Sequence, residues 1–172
     1  MGYEIFEPQV KAPLHTLARA EAKRHFNLHL SSIGERIKEL EKLMNSVNIE
    51  LDFTIDSIVK IDNWFPDIIE PNPQKNNEPN GKSFSICNDL GMYLGEILKK
   101  ESEWIKWELN TLRKSDISYH RPVLTNFRGV KNKNYYIDFD LVLCQYAHRI
   151  IDGKVELGTI KRMIEYAIEK SN

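Results

Sequence analysis

The spacing of apolar positions gives the chain its clearest organisation. Leu30, Ile33, Ile37, Leu40, Met44 and Val47 recur every three or four residues, which predicts one apolar helical stripe. Glu35, Arg36, Lys38, Glu39, Glu41 and Lys42 fill the opposite side. With Pro13 as a first-turn residue, the pattern predicts one long helix or two collinear ones over 13–46, with a bend at Ser31-Ser32-Ile33-Gly34.

Asn48 to Thr54 breaks that period. Thr54 or Asp56 then caps a short helix whose apolar face is Ile58, Ile61, Trp64 and Phe65, bounded by Pro66. Residues 70–82 hold three prolines and no large apolar side chain, so they read as an exposed loop. A helix over 85–100 follows, opened by Ser83 or Ser85 and buried through Ile86, Leu90, Leu94, Ile97 and Leu98.

At Trp104 the period changes from helical to alternating. Ile105, Trp107 and Leu109 share one face; Trp104, Lys106 and Glu108 share the other. A second extended run over 118–127 carries Tyr119, Val123 and Phe127, and Pro122 marks it as an edge strand or a strand start. The two runs predict an antiparallel hairpin. Two helices finish the chain. The first is capped by Asp138 or Asp140, striped by Leu141, Cys144, His148 and Ile151, and ended by Gly153; the second starts near Thr159 and carries Ile160, Met163, Ile164, Ala167 and Ile168. The expected fold is α+β: one mostly helical domain spanning 1–172, with five or six helices and a small antiparallel hairpin or sheet.

Composition agrees with a single globular domain: 172 residues, 41% hydrophobic and 28% charged. The formal charge of −1 supplies no field to hold a polyanion, so nucleic acid is not an expected partner. No apolar run is long enough to cross a bilayer, and the first residues lack an export signal. The expectation is a cytoplasmic protein whose Cys87 and Cys144 are free thiols. Phosphate-loop and dinucleotide fingerprints are absent, and no cofactor is called for.

Several constellations carry candidate chemistry. Glu21, His25 and His29 are spaced by four, so their side chains line up on one helix face and two imidazoles can share a metal ion. The glutamate does not stand between the histidines, so the metalloprotease motif is incomplete and a polar flank is the plainer reading. Asp89, Tyr93 and Glu96 form a second stripe, but their carboxylates lie roughly two helical turns apart, which suits hydrogen bonding better than shared acid–base work. Gly91 and Gly95 each cost ~1 kcal/mol in a helix, so close packing of another element is expected there, and a contact between two copies is the lesser reading. Oligomeric state is left open. Cys144 and His148 share a stripe without the third group a nucleophilic site needs. Trp104, Lys106, Tyr119, His120 and Arg121 bring aromatic and basic side chains to the outer side of the hairpin, a composition typical of protein contacts.

Asp89-Leu-Gly-Met-Tyr-Leu-Gly-Glu96, followed by Trp104, Trp107 and Arg121-Pro-Val-Leu124, resembles a pattern in uncharacterised bacterial proteins. Leu51-Asp-Phe-Thr-Ile-Asp-Ser-Ile58 with Trp64-Phe65 is similar to the helix preceding it there, and the likeness spans roughly 50–150. Some small bacterial proteins of this look are immunity proteins, so the resemblance implies a bacterial, partner-binding or regulatory protein rather than an enzyme. The alternative is a metal-binding protein or metal-dependent hydrolase using His25 and His29.

Overall fold

A computed structural model describes residues 2–172. Its elements run α1 (Arg19–Asn45), α2 (Ile55–Ile68), β1 (Pro71–Asn72), β2 (Lys75–Pro79), α3 (Gly81–Glu101), β3 (Lys106–Leu109), β4 (Pro122–Thr125), α4 (Phe139–Ile151) and α5 (Thr159–Ser171), with one short helical turn at Leu14–Thr16. This is the expected α+β domain: five α-helices and two separate two-stranded antiparallel sheets among the described residues.

Helix α3 is the centre. Residues 89–95 are buried on every side, as a helix enclosed by others must be, and α1, α4 and α5 pack around it. Its two glycines make that enclosure possible. A Cβ on Gly91 would stand 3.0 Å from the backbone N of Asp140 at the start of α4, and one on Gly95 would stand 2.2 Å from the indole of Trp107. The Gly-x-x-x-Gly strip is therefore an internal packing device.

Several details depart from the sequence pattern. Helix α1 begins at Arg19 rather than Pro13 and runs unbroken through Ser31–Gly34, where the two hydroxyls bond back to the carbonyls of Leu28 and His29. Its buried face carries Ala22, His29, Arg36, Leu40 and Met44, while Leu30 and Val47 are exposed. The face is turned because Arg36 has a buried partner, described below. Pro66 lies inside the last turn of α2 rather than ending it. In place of the loop over 70–82 stands the β1–β2 hairpin, and α3 starts at Gly81 because the Asn80 side chain accepts from the Ser83 N–H at 2.8 Å. In α4 the predicted stripe Leu141, Cys144, His148 and Ile151 is only half-buried; Leu143, Tyr146, Ala147 and Ile150 form the core face.

Other expectations hold. Thr54 caps α2 and Asp138 caps α4. Gly153 takes φ 75° just past the end of α4, the left-handed conformation expected of a helix-ending glycine. The strands pair Lys106 with Thr125 through Leu109 with Pro122, and Pro122 opens its strand as anticipated. The expected extended run over 118–127 is corrected to β4 alone: residues 118–121 form a turn, with His120 at φ 64° and its N–H bonded to the Asn110 carbonyl at 2.7 Å. Among the described residues no helix is long and apolar enough to cross a membrane.

Candidate functional site

Residues 5–15, of which the sequence pattern assigns only 13–15, form the roof of a cavity. Their start is pinned from below. Tyr3 donates to Asp89 Oδ2 at 2.5 Å, the Phe6 N–H donates to Ser85 Oγ at 2.6 Å, and Arg36 Nη2 donates to the Glu4 carbonyl at 2.7 Å. Arg36 and Asp89 are themselves a buried pair, 8% and 0% exposed at the side chain. Burial pushes the Asp89 carboxyl up, and the hydrogen bonds from Arg36 and Tyr3 oppose it. Beyond Phe6 the chain crosses over the ends of α1, α3 and α4 before turning at Leu14–Thr16 into α1.

Under this roof lies a cavity of about 800 Å³. Ile5, Phe6, Val10 and Leu14 line it from above, and Phe84, Ile117 and Leu141 from the sides. The volume and apolar lining are those of small-molecule sites, which run ~300–1,000 Å³. Two residues of the half-buried α4 stripe, Leu141 and Cys144, line the cavity, and Cys144 also packs against the core. At its floor, His25, Asn88, Arg121 and Asp140 also line a smaller recess of about 40 Å³ that reaches His29 and Trp107.

The polar groups of that floor are unevenly satisfied. Arg121 donates from Nε to Asp138 Oδ2 at 2.6 Å and from Nη2 to Asp140 Oδ2 at 2.7 Å. Burial works to lower the pKa of Arg121, but Asp140 and Asp138 hold it above the ordinary value. Among the described residues none accepts from Arg121 Nη1. His25 Nδ1 and His29 Nε2 are, among the described residues, buried without a hydrogen-bond partner, as are both ring nitrogens of His120 away from this floor. Burial, then the Arg121 and Arg24 charges, lowers the pKa of His25; burial, then His25, lowers that of His29 to about 4. Both imidazoles are therefore uncharged at neutral pH. Orphaned polar atoms of this kind are rare inside proteins, because each costs ~1–3 kcal/mol unless something meets it.

The structure separates the residues singled out from sequence. His25 and His29 both line the small recess, but Glu21 does not join them as a ligand: among the described residues no group of three His, Cys, Asp or Glu side chains is placed to hold a metal ion. The metal constellation thus lacks its third member. Of the hairpin group, Arg121 turns inward to the floor, and His120 is buried in its turn with its ring stacked on Tyr119 at 3.9 Å. Trp104 lies outside β3, donates from Nε1 to the Ser171 carbonyl at 3.0 Å, and is covered by the Arg128 guanidinium 3.5 Å from its ring. Lys106 stays exposed and pairs with Glu108 at 2.8 Å. The five do not form one surface.

The carboxylate stripe of α3 is fully engaged in structure. Asp89 holds Arg36, the Tyr93 hydroxyl meets Ser57 and the Phe53 N–H, and Glu96 accepts from Trp107 Nε1 at 3.0 Å. His148 bonds the Cys144 carbonyl at 2.8 Å rather than its thiol. The neighbouring Cys87 and then burial push the Cys144 thiol up, so it is no nucleophile. Both cysteines are free. Sequence reasoning missed Asn88, Asp140 and the roof; the apolar residues Ile5, Phe6, Val10 and Leu14 were the available signal.

No curated protein and no solved structure matches the chain. A family model matches residues 18–149, a span that contains every floor residue named above and stops short of the roof. The chain belongs to the family described as Uncharacterised protein YwmA.

Proposed function

We propose that this is a binding protein whose ligand is a small, largely apolar molecule held between the N-terminal roof and the ends of α1, α3 and α4. One observation carries the reading: the roof and the ends of α1, α3 and α4 bound a cavity of about 800 Å³ whose lining is mainly apolar. A ligand's apolar body replaces water there against Phe6, Leu14, Phe84 and Leu141. Binding is favoured over catalysis because the floor offers neither a free carboxylate nor an activated nucleophile. A partner-binding role of the immunity type, acting through the hairpin, has less geometric support, since Trp104 and Arg121 are engaged within the chain.

Titration with the neutral dye Nile red tests the reading. Saturable binding with enhanced emission is expected, and Leu141→Trp, which narrows the cavity, is expected to weaken it. Absent binding, or equal binding by the narrowed variant, would overturn it.

A further inference from the structure

We infer that the cavity takes a cationic amphiphile, an apolar chain ending in a primary ammonium group, in preference to the corresponding carboxylate or alcohol. The inference rests on the cavity being a ligand site and concerns the head group its lining favours.

The charges around the cavity do not cancel. At the floor two carboxylates share one guanidinium: Arg121 donates to Asp138 at 2.6 Å and to Asp140 at 2.7 Å. The amino end of α4, which Asp138 caps, returns only about half a positive charge. Glu7 adds a carboxylate from the roof, and among the described residues no cation pairs with it. Arg121 is the one lysine or arginine among the described lining residues. A cation entering here meets a net negative field, which the apolar walls leave poorly screened.

The floor also carries acceptors for an ammonium, which has three donors and no acceptor. Asp140 keeps 32% of its side chain exposed and lines both the cavity and the recess. Arg121 takes its Oδ2; facing Oδ1 is only the Cys144 thiol, a weak donor, at 3.5 Å. Asn88 lines the same two spaces. Its Nδ2 donates to Asp89 Oδ1 at 3.1 Å, and among the described residues nothing donates to its carbonyl oxygen. The lost hydration of the ammonium opposes binding, and these two acceptors replace part of it. A carboxylate has the reverse needs. Arg121 Nη1 is a donor open to it, but using that donor sets a third anion on one guanidinium. An alcohol forms hydrogen bonds and gains nothing from the field. The apolar chain meets the same walls in all three cases, so the head group sets the order.

Competition against bound Nile red reads that order, with decylamine, decanoate and decanol as probes of one chain length. At neutral pH and low salt, decylamine is expected to displace the dye at about tenfold lower concentration than either of the others, and added salt narrows the gap. Asp140→Asn keeps an oxygen for Arg121 and removes one charge, so it is expected to abolish most of the preference for decylamine over decanol. Glu7→Gln, at an exposed position, is expected to lower that preference about twofold, and decides the matter if Asp140→Asn does not fold. An unchanged preference in the deciding variant, or equal or tighter binding of decanoate or decanol by the wild type, overturns the selection but leaves the cavity as a binding site. So does displacement by decylamine that Leu141→Trp leaves unweakened. Failure of Nile red and all three probes overturns both.

Discussion

Arg36 and Asp89 meet as a two-pronged ion pair inside the protein, Nε to Oδ1 at 2.9 Å and Nη2 to Oδ2 at 2.7 Å. The same guanidinium holds the Glu4 carbonyl and the same carboxylate holds Tyr3, so one buried pair fastens the roof to the core. Removing one partner strands the other charge, at a cost of about 3–5 kcal/mol. Asp89→Ala is therefore expected to lower stability by that amount in urea unfolding. The double replacement Arg36→Met with Asp89→Leu is expected to be less damaging than Asp89→Ala, since it leaves no orphaned charge. Faster proteolysis within residues 2–16 should accompany both.

Gly95 and Gly34 test packing against intrinsic helix preference. Both sit inside helices, where alanine is favoured by ~1 kcal/mol. Nothing lies within 4 Å of a Cβ on Gly34, so Gly34→Ala is expected to raise stability by roughly 0.5–1 kcal/mol. On Gly95 the new methyl would overlap the rigid Trp107 ring, so Gly95→Ala is expected to lower stability by about 1–3 kcal/mol. Chemical denaturation of the two variants should give opposite signs.

That contrast shows what sequence could convey. Gly91 and Gly95 declared close packing through their helix penalty, and the apolar positions of α3 declared the centre, because both signals are local. Asn80 as a cap and the short β1–β2 hairpin were hidden among prolines and asparagines, which serve turns and caps alike. Leu141 and Cys144 lie on an apolar stripe, but a sequence does not distinguish a face on the core from a face on a cavity. His25 and His29 were visible as a pair; the absent third ligand and the roof above them depend on contacts far apart in the chain.

His29 gives the pH dependence a definite sign. Burial first, then His25, depresses its folded pKa to about 4, below the unfolded value of ~6.5, so the unfolded chain binds the proton more readily in that interval. Its contribution to stability is present above about pH 6.5 and is lost as the pH falls toward 4, by about 3 kcal/mol in all. Other groups titrate over the same range, with Asp89 and Asp140 raised by burial, so the comparison between proteins isolates the histidine. His29→Leu is expected to lose less stability than wild type between about pH 7 and about pH 5, read by urea unfolding at each pH.

Trp104 is expected to act on the fold. Its indole N–H bonds the Ser171 carbonyl at 3.0 Å near the end of α5. Trp104→Phe removes that bond and should cost about 1 kcal/mol, while Trp104→Ala also loses the ring under Arg128 and should cost about 3–5 kcal/mol. Thermal unfolding of both variants checks the order.

The imidazole nitrogens themselves test the central claim most directly. Nitrogen NMR of the side chains reports the protonation, tautomer and hydrogen bonding of His25 and His29. Saturation with Nile red is expected to shift the ring nitrogens of His25, which lines the cavity, and to leave His148, whose Nδ1 is already bonded to the Cys144 carbonyl, unchanged. Unmoved His25 signals at a saturating dye concentration would contradict the account.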